Sequence, residues 1–139
     1  MEMEKPKKPS EMKETHEFMK NIPAEKFGDY EVRAVQWGNI NVSFEKAGSD
    51  FDVTPYFKGL PDNLDQCPHW GFVFKGEFIT KYKDHEEHIK AGQAYYTAPG
   101  HTTIVKKGTE LLEFSPAPEI QKTFEAITRN MAAMETKSK

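Results

Sequence analysis

Two segments that each carry a histidine have the composition of β-strands, and they constrain this chain more than any other feature. Residues 69–76 read His-Trp-Gly-Phe-Val-Phe-Lys-Gly, and residues 95–101 read Tyr-Tyr-Thr-Ala-Pro-Gly-His. Aromatic and β-branched residues favour strands, whereas glycine and proline favour turns at the strand ends. Because the two segments flank a predicted hairpin, we expect a small β-barrel with polar groups directed inward.

Short predicted strands recur along the middle of the chain. Turn-forming residues such as Gly38-Asn39, Gly76 and Pro99-Gly100 separate them. No interval between the strands suits a crossover helix, so parallel βαβ units are not expected. The pattern therefore predicts an all-β sandwich or barrel. The predicted strands are 30–37, 40–46, 51–58, 69–75, 77–82, 86–90, 93–98, 101–106 and 109–114.

The two ends of the chain differ from the middle. Residues 1–9 are charged and contain two prolines, so we predict a disordered lead-in. A short helix is predicted from Ser10, which suits an N-cap, to the residue before Pro23. A second helix is predicted at about 118–134, with an apolar stripe that packs on the outside of the barrel or on a second copy. The stripe consists of Ile120, Phe124, Ile127, Met131 and Met134.

Length and composition restrict the class of protein. The 139 residues suit a single domain, predicted at 10–139 with the barrel at about 30–115. The net charge of -3 gives no basic face for a nucleic acid. A single cysteine, no long apolar run and no signal-like start argue against a disulfide framework, a membrane span and secretion. We therefore expect a cytoplasmic protein that binds neither nucleic acid nor membrane.

Several motifs resemble those of a known superfamily. Residues 73–78 (Val-Phe-Lys-Gly-Glu-Phe), the later Gly92, and Pro99-Gly100 before a strand resemble the two motifs of the cupins. The patterns Cys-Pro-His-Trp-Gly at 67–71, Pro-Gly-His-Thr at 99–102 and Glu-Phe-Ser-Pro at 113–116 are similar to a group of small single-domain cupins. The resemblance implies a double-stranded β-helix, also called a jelly-roll barrel, across residues 30 to 115. It does not by itself imply an activity.

The ligand positions of the cupin motifs are shifted in this sequence. Cupins that carry a metal usually bind it through three histidines and a glutamate. His69 stands at the position of that glutamate, and the paired histidines would fall at about Asn63 and Asp65. In the second motif the family histidine corresponds to Thr103, whereas this chain has His101. The resemblance therefore implies a ligand set that is either displaced or lost.

Strand alternation keeps a metal site open as a hypothesis. Because side chains alternate along a strand, His101 faces inward if Thr103 does, and Cys67 has the same parity as His69. With a third donor from Cys67, Asp65 or Glu113, the two histidines would hold a divalent metal such as zinc, iron, manganese or nickel. The alternative is that both histidines are neutral and hydrogen-bonded inside a polar barrel.

Two classes of function follow. The first is a small-molecule-binding barrel, with His69 and His101 as polar anchors. The second is a metal-dependent enzyme of the isomerase or dioxygenase type at the same place, or one with a histidine base. Gly71 is expected to leave room for a ligand beside His69. The full set of predicted ligand-binding residues is His69, His101, Gly71, Cys67, Tyr96 and Thr103.

The outward face of one predicted strand suggests self-association. Trp70, Phe72 and Phe74 share the face opposite to His69. A two-fold dimer would bury this apolar face and protect open sheet edges. We therefore predict a homodimer.

Overall fold

The computed structural model describes residues 15–137, in which ten strands form two antiparallel sheets. The larger sheet has the order β1-β2-β3-β10-β5-β8 and the smaller sheet the order β4-β9-β6-β7. The strands are β1 Ala24–Phe27, β2 Tyr30–Trp37, β3 Ile40–Ala47, β4 Phe51–Asp52, β5 His69–Lys75, β6 Glu77–Lys81, β7 Glu86–Lys90, β8 Ala94–Thr97, β9 Thr102–Val105 and β10 Glu110–Pro116. One helix, α1, runs from Ala117 to Lys137, and 3₁₀ turns lie at Met19–Asn21, Thr54–Phe57 and Pro61–Asn63.

The chain passes from the larger sheet to the smaller one at Gly76, between β5 and β6. Gly76 has a φ of 76°, and a Cβ atom there would lie 2.5 Å from Thr109 Oγ1. That hydroxyl donates to the carbonyl of Glu77 and accepts from its amide. Glycine is needed at this position because it tolerates a positive φ and leaves space for the threonine.

Apolar side chains between the sheets form the core. Val73 is fully buried, and Phe78 from the smaller sheet packs edge-on against Tyr95, with ring centroids 4.8 Å apart. The other buried members of this cluster are Tyr30, Ala47, Val105 and Leu111. The inner faces are polar further along the strands, where Ser43, His69, Thr97 and Ser115 are also buried. The sandwich is therefore apolar at one end and polar at the other.

The prediction of an antiparallel β domain with a C-terminal helix is confirmed, but two of the predicted elements differ. The described part of the predicted N-terminal helix holds only the 3₁₀ turn at 19–21, and residues 10–14 lie outside the described residues, as does the lead-in at 1–9. The predicted strand 51–58 is a two-residue strand followed by the turn at 54–57, because Pro55 cannot donate a ladder hydrogen bond. Hydrogen bonding places the strands in two separate sheets.

Helix α1 packs differently from the prediction. Its residues Ile120, Thr123, Phe124 and Ile127 line the space between the sheets instead of lying on the outside. Further along, Asn130 Nδ2 donates to the carbonyls of Tyr56 and Lys58, at 2.7 and 2.8 Å. The helix therefore closes one end of the sandwich and is tied to the turn at 54–57. Among the described residues, no helix is long and apolar enough to cross a membrane.

Candidate metal centre

A cavity of about 120 Å³ lies between the sheets and beneath α1. An internal cavity of about 150 Å³ is large enough to bind benzene, so this one suits a ligand of roughly one ring. Its polar wall includes Ser43, Glu45, Asp65, His69, His101 and Glu113. Its apolar wall includes Phe27, Val32, Phe51, Tyr56, Phe124 and Ile127.

The rings of His69 and His101 meet at the polar end of this cavity. Their centroids lie 5.1 Å apart with an interplanar angle of 77°, and both side chains are buried. His69 begins β5 and pairs with Thr97 of β8, whereas His101 comes directly before β9 of the smaller sheet. The two imidazoles therefore converge, one from the larger sheet and one from the residue that directly precedes the smaller sheet.

Asp65 places its carboxylate between the two histidines. Its Oδ2 atom lies 3.0 Å from His69 Nε2 and 3.4 Å from His101 Nε2. Its Oδ1 atom accepts hydrogen bonds from the Cys67 amide at 2.9 Å and from Thr123 Oγ1 at 2.7 Å. The segment is held in place because the Asp65 and His101 backbones form an isolated antiparallel bridge. Oδ2 thus faces both imidazoles, whereas Oδ1 already accepts two hydrogen bonds.

The Nδ1 atoms of both histidines also have hydrogen-bond partners in the protein. His101 Nδ1 donates to the carbonyl of Ala98 at 2.7 Å. His69 Nδ1 hydrogen bonds with Ser115 Oγ at 2.7 Å, and Glu113 Oε2 lies 3.7 Å from the same nitrogen. Histidines that ligate metals usually bond in this way through the nitrogen that does not face the metal. Both Nε2 atoms are therefore oriented toward Asp65.

Charge is concentrated in this buried group. Burial opposes ionisation of Asp65, but hydrogen bonds from His101 and His69 outweigh it and hold the pKa of Asp65 well below its usual range. Burial likewise opposes protonation of His69, but the charge of Glu113 and the hydrogen bond to Asp65 raise the pKa of His69 well above its ordinary value. Metal binding at Nε2 requires the loss of the His69 proton.

The three groups have the chemistry and spacing of a divalent metal site. Donor atoms of Asp65, His69 and His101 all lie within 4.8 Å of one another. Ligand atoms about 2.0 to 2.2 Å from one ion stand roughly 2.8 to 3.6 Å apart, and the two separations from Oδ2 fall in that range. Two imidazoles and one carboxylate on one side of an ion are typical of non-haem iron(II) sites with open positions. The residues therefore fit a metal.

The fold is shared with solved structures of low sequence identity. An RmlC-like cupin from Shewanella frigidimarina NCIMB 400 superposes with a TM-score of 0.55 at 15% identity, covering 75% of this chain and 92% of that one. The chain has the cupin fold. The polyketide cyclase RemF from Streptomyces resistomycificus gives a TM-score of 0.54 at 13% identity, covering 76% of this chain and 80% of that one. No protein-family model matches the sequence, and no curated protein matches it.

A third solved structure that is similar in fold contains iron(II). Fe(II) HppE superposes with a TM-score of 0.52 at 14% identity, covering 79% of this chain and 63% of that one. This chain thus spans less than two thirds of the length of HppE. At such low identity the likeness concerns the fold alone.

The structure places only some of the residues predicted to bind a ligand in the cavity wall. Thr103 lines the cavity, as do His69 and His101. Cys67 is buried, its thiol donates to the carbonyl of Pro68, and burial raises the pKa of that thiol. Cys67 donates its backbone amide to Asp65, and its thiol is not part of the group formed by Asp65, His69 and His101.

The placements of Gly71 and Tyr96 differ from the prediction. A Cβ atom on Gly71 would lie 2.5 Å from Tyr95 Oη and 2.4 Å from the carbonyl of Leu112, so the space beside this glycine is taken by Tyr95 and not by a ligand. Tyr96 is exposed and packs against Trp70 on the outer face, with ring centroids 5.3 Å apart. The alternation of β8 sends Tyr95 inward and Tyr96 outward.

Two glutamates also lie in the cavity wall: Glu113, which the sequence analysis named as a possible third donor, and Glu45, which it missed. Glu45 accepts hydrogen bonds from Tyr30 and Ser43, and Glu113 accepts one from Tyr95 at 2.8 Å. Burial and the charge of Glu113 raise the pKa of Glu45 from 4.5 to about 7, against the opposing effect of its hydrogen bonds. A signal was present, because Asn41, Ser43 and Glu45 are three polar residues on one face of a predicted strand.

Proposed function

We propose that this protein is a cupin that binds a small organic molecule next to a divalent metal ion held by Asp65, His69 and His101. One observation carries the proposal. Asp65 Oδ2 and both Nε2 atoms converge, while the opposite atom of each side chain is held by another protein group. Iron(II) fits this ligand set, and zinc, manganese and nickel are also accommodated by imidazole and carboxylate. The iron in the similarly folded HppE supports the proposal.

The residues around the site would each have a defined task. A divalent metal there would supply a Lewis acid with open coordination positions for a ligand. Ser115 and the Ala98 carbonyl would fix the two imidazole rings, and Thr123 would fix Asp65. The apolar wall would exclude water from the bound molecule. An enzyme of the isomerase or dioxygenase type is compatible with such a centre.

Metal content is the direct test. Protein purified without a nickel column should hold about one equivalent of a divalent metal, or take one up from Fe(II) or Zn(II) solution. His69→Gln, His101→Gln and Asp65→Asn should each weaken uptake by about tenfold or more, since each removes one ligand. His88→Gln is the matched control, because His88 is exposed on β7. Uptake below about a tenth of an equivalent in the wild type would refute the metal site.

A metal-free binding protein is the second candidate. It is favoured by one observation: the pair of Asp65 and His69 is already satisfied as a buried ion pair with a separation of 3.0 Å. In that case His69 and His101 would be polar anchors for the ligand. Binding of a small molecule to protein that takes up no metal would support this candidate over the first.

A further inference from the structure

The charges on the cavity wall indicate which class of molecule it accepts. Among the described residues that line the cavity, three carry carboxylates, Glu45, Asp65 and Glu113, and none is a lysine or an arginine. The imidazole of His69 is paired with Asp65 at 3.0 Å and lies 3.7 Å from Glu113, and that of His101 lies 3.4 Å from Asp65. No cationic side chain is left to pair with an organic acid.

The carboxylates that are not needed for the metal centre lie next to each other. In the register of β3 and β10, Glu113 stands opposite Ser43, and Glu45 stands opposite Leu111. Glu45 and Glu113 are therefore diagonal neighbours on the inner face, about 7 to 8 Å apart at the backbone. Each accepts from a tyrosine, Tyr30 or Tyr95, and an ionised carboxylate has about four acceptor sites, so both keep acceptor capacity for a ligand.

An aromatic stack lies beside this end of the cavity. The ring of Tyr30 stacks on Phe51 with centroids 4.8 Å apart, and Phe51 stacks on Tyr56 with centroids 5.5 Å apart. All three residues line the cavity. Aromatic rings give an apolar ligand body a large contact area, and they also favour a nearby cation.

We infer that the cavity binds a protonated organic amine of about one ring in size, with the ammonium group at Glu45 and Glu113 and the apolar body against Tyr30, Phe51 and Tyr56. This inference rests on the proposed function and names the ligand class of the same cavity. The volume of about 120 Å³ limits the size. The unbalanced carboxylates set the sign of the charge. Without a bound metal ion, carboxylic acids and phosphates of the same size would be repelled by these carboxylates.

Three probes of matched size test the inference by calorimetry: benzylamine, benzyl alcohol and benzoate. In chelator-treated protein, benzylamine should bind about tenfold or more tightly than benzyl alcohol, and benzoate should bind most weakly, because like charges are disfavoured. The series is measured on Zn(II)-loaded and on chelator-treated protein. The amine preference should survive chelation, because it comes from the carboxylates. If it disappears with the metal, the amine was a metal ligand and the inference is wrong.

One substitution locates the ammonium group. Glu45→Gln should weaken benzylamine binding by about tenfold and change benzyl alcohol binding by less than about twofold. Glu25→Gln is the matched control, because Glu25 is exposed on β1 of the same sheet. If Glu45→Gln does not fold, the three-probe series on the wild-type protein still tests whether the cavity prefers an amine.

The outcomes separate this inference from the proposed function. In chelator-treated protein, equal affinity for the three probes, tighter binding of benzoate, or no binding of any probe would overturn the amine class. Stoichiometric metal uptake with any of those results would leave the metal centre intact. Amine binding without metal uptake would instead refute the metal centre and retain the ligand class.

Discussion

Thr123 of helix α1 donates a hydrogen bond of 2.7 Å to Asp65 Oδ1, across 58 residues of sequence. This bond connects the C-terminal helix to the carboxylate that faces both histidines. It leaves Oδ2 as the oxygen available to a metal. The helix therefore acts on the candidate centre as a positioning element, in addition to covering the cavity.

Removal of the Thr123 hydroxyl should weaken metal binding without unfolding the protein. We expect Thr123→Val to lower the affinity for Zn(II) by about tenfold, since partners of metal ligands are worth about 10 to 100-fold. Stability should fall by about 1 kcal/mol, the cost of one buried hydrogen bond. Metal titration with a competing chelator and urea unfolding measure the two effects. Thr128→Val, an exposed change on the same helix, should alter neither. Unchanged affinity in Thr123→Val would contradict the positioning role.

A methyl group at Gly71 should be poorly tolerated. Gly71→Ala would place a Cβ atom 2.4 Å from the Leu112 carbonyl and 2.5 Å from Tyr95 Oη, so the strands or the tyrosine must move. We expect a loss of about 2 to 4 kcal/mol in the free energy of unfolding. Gly92→Ala is a control with a positive φ of 88° but no atom within 4 Å, and it should cost about 1 kcal/mol. Equal losses in the two variants would show that the close contact is relieved easily.

Glu45 should make stability depend on pH. Its pKa rises from 4.5 to about 7 on folding, so between these values the folded state binds more protons than the unfolded state. Stability therefore falls as pH rises through this window, by roughly 2 kcal/mol for a partly buried group. Glu45→Gln removes the titration and should flatten the curve between about pH 4.5 and 7 when urea unfolding is compared with the wild type. Parallel curves for the two proteins would contradict the raised pKa.

Self-association stays a prediction, and the structure provides a surface on which to test it. Trp70, Phe72 and Phe74 are exposed by 47%, 38% and 51% on the outer face of β5. We expect sedimentation at micromolar concentration to give twice the mass of the chain, because burial of such a face is favourable. Phe74→Glu should shift the protein toward the monomer, whereas Phe18→Glu, at an exposed site outside the sheets, should not. A monomeric wild type would refute the prediction.

The strands were predictable from the sequence because each has a local signature. Aromatic and β-branched residues mark β2, β3 and β5, and glycine marks the turns between them. The prediction of a continuous strand at 51–58 was wrong for a local reason, because Pro55 interrupts the hydrogen-bonding pattern of the strand. The sequence analysis did not predict β1, which is a short, largely exposed strand with no alternation of buried and exposed residues.

Strand alternation in the sequence predicted only part of the candidate site. Alternation indicated that His69 and His101 face inward, and it left Asp65 as one of three candidate third ligands. The choice among them depends on tertiary contacts. The Asp65 carboxylate is turned toward the histidines by Thr123, which lies on a helix whose apolar stripe gave no reason to expect a polar contact. The position of Tyr96 likewise needed the register of β5 against β8, which a single sequence does not contain.

His69 belongs to the larger sheet, whereas His101 directly precedes a strand of the smaller one. A metal ion or ligand bound to both imidazoles would consequently link the two sheets of the sandwich. Metal binding at this centre should therefore make separation of the two sheets less favourable. The amide protons of β5 and β9 should both exchange more slowly in the metal-bound protein than in the metal-free protein, even though neither strand gains a hydrogen bond.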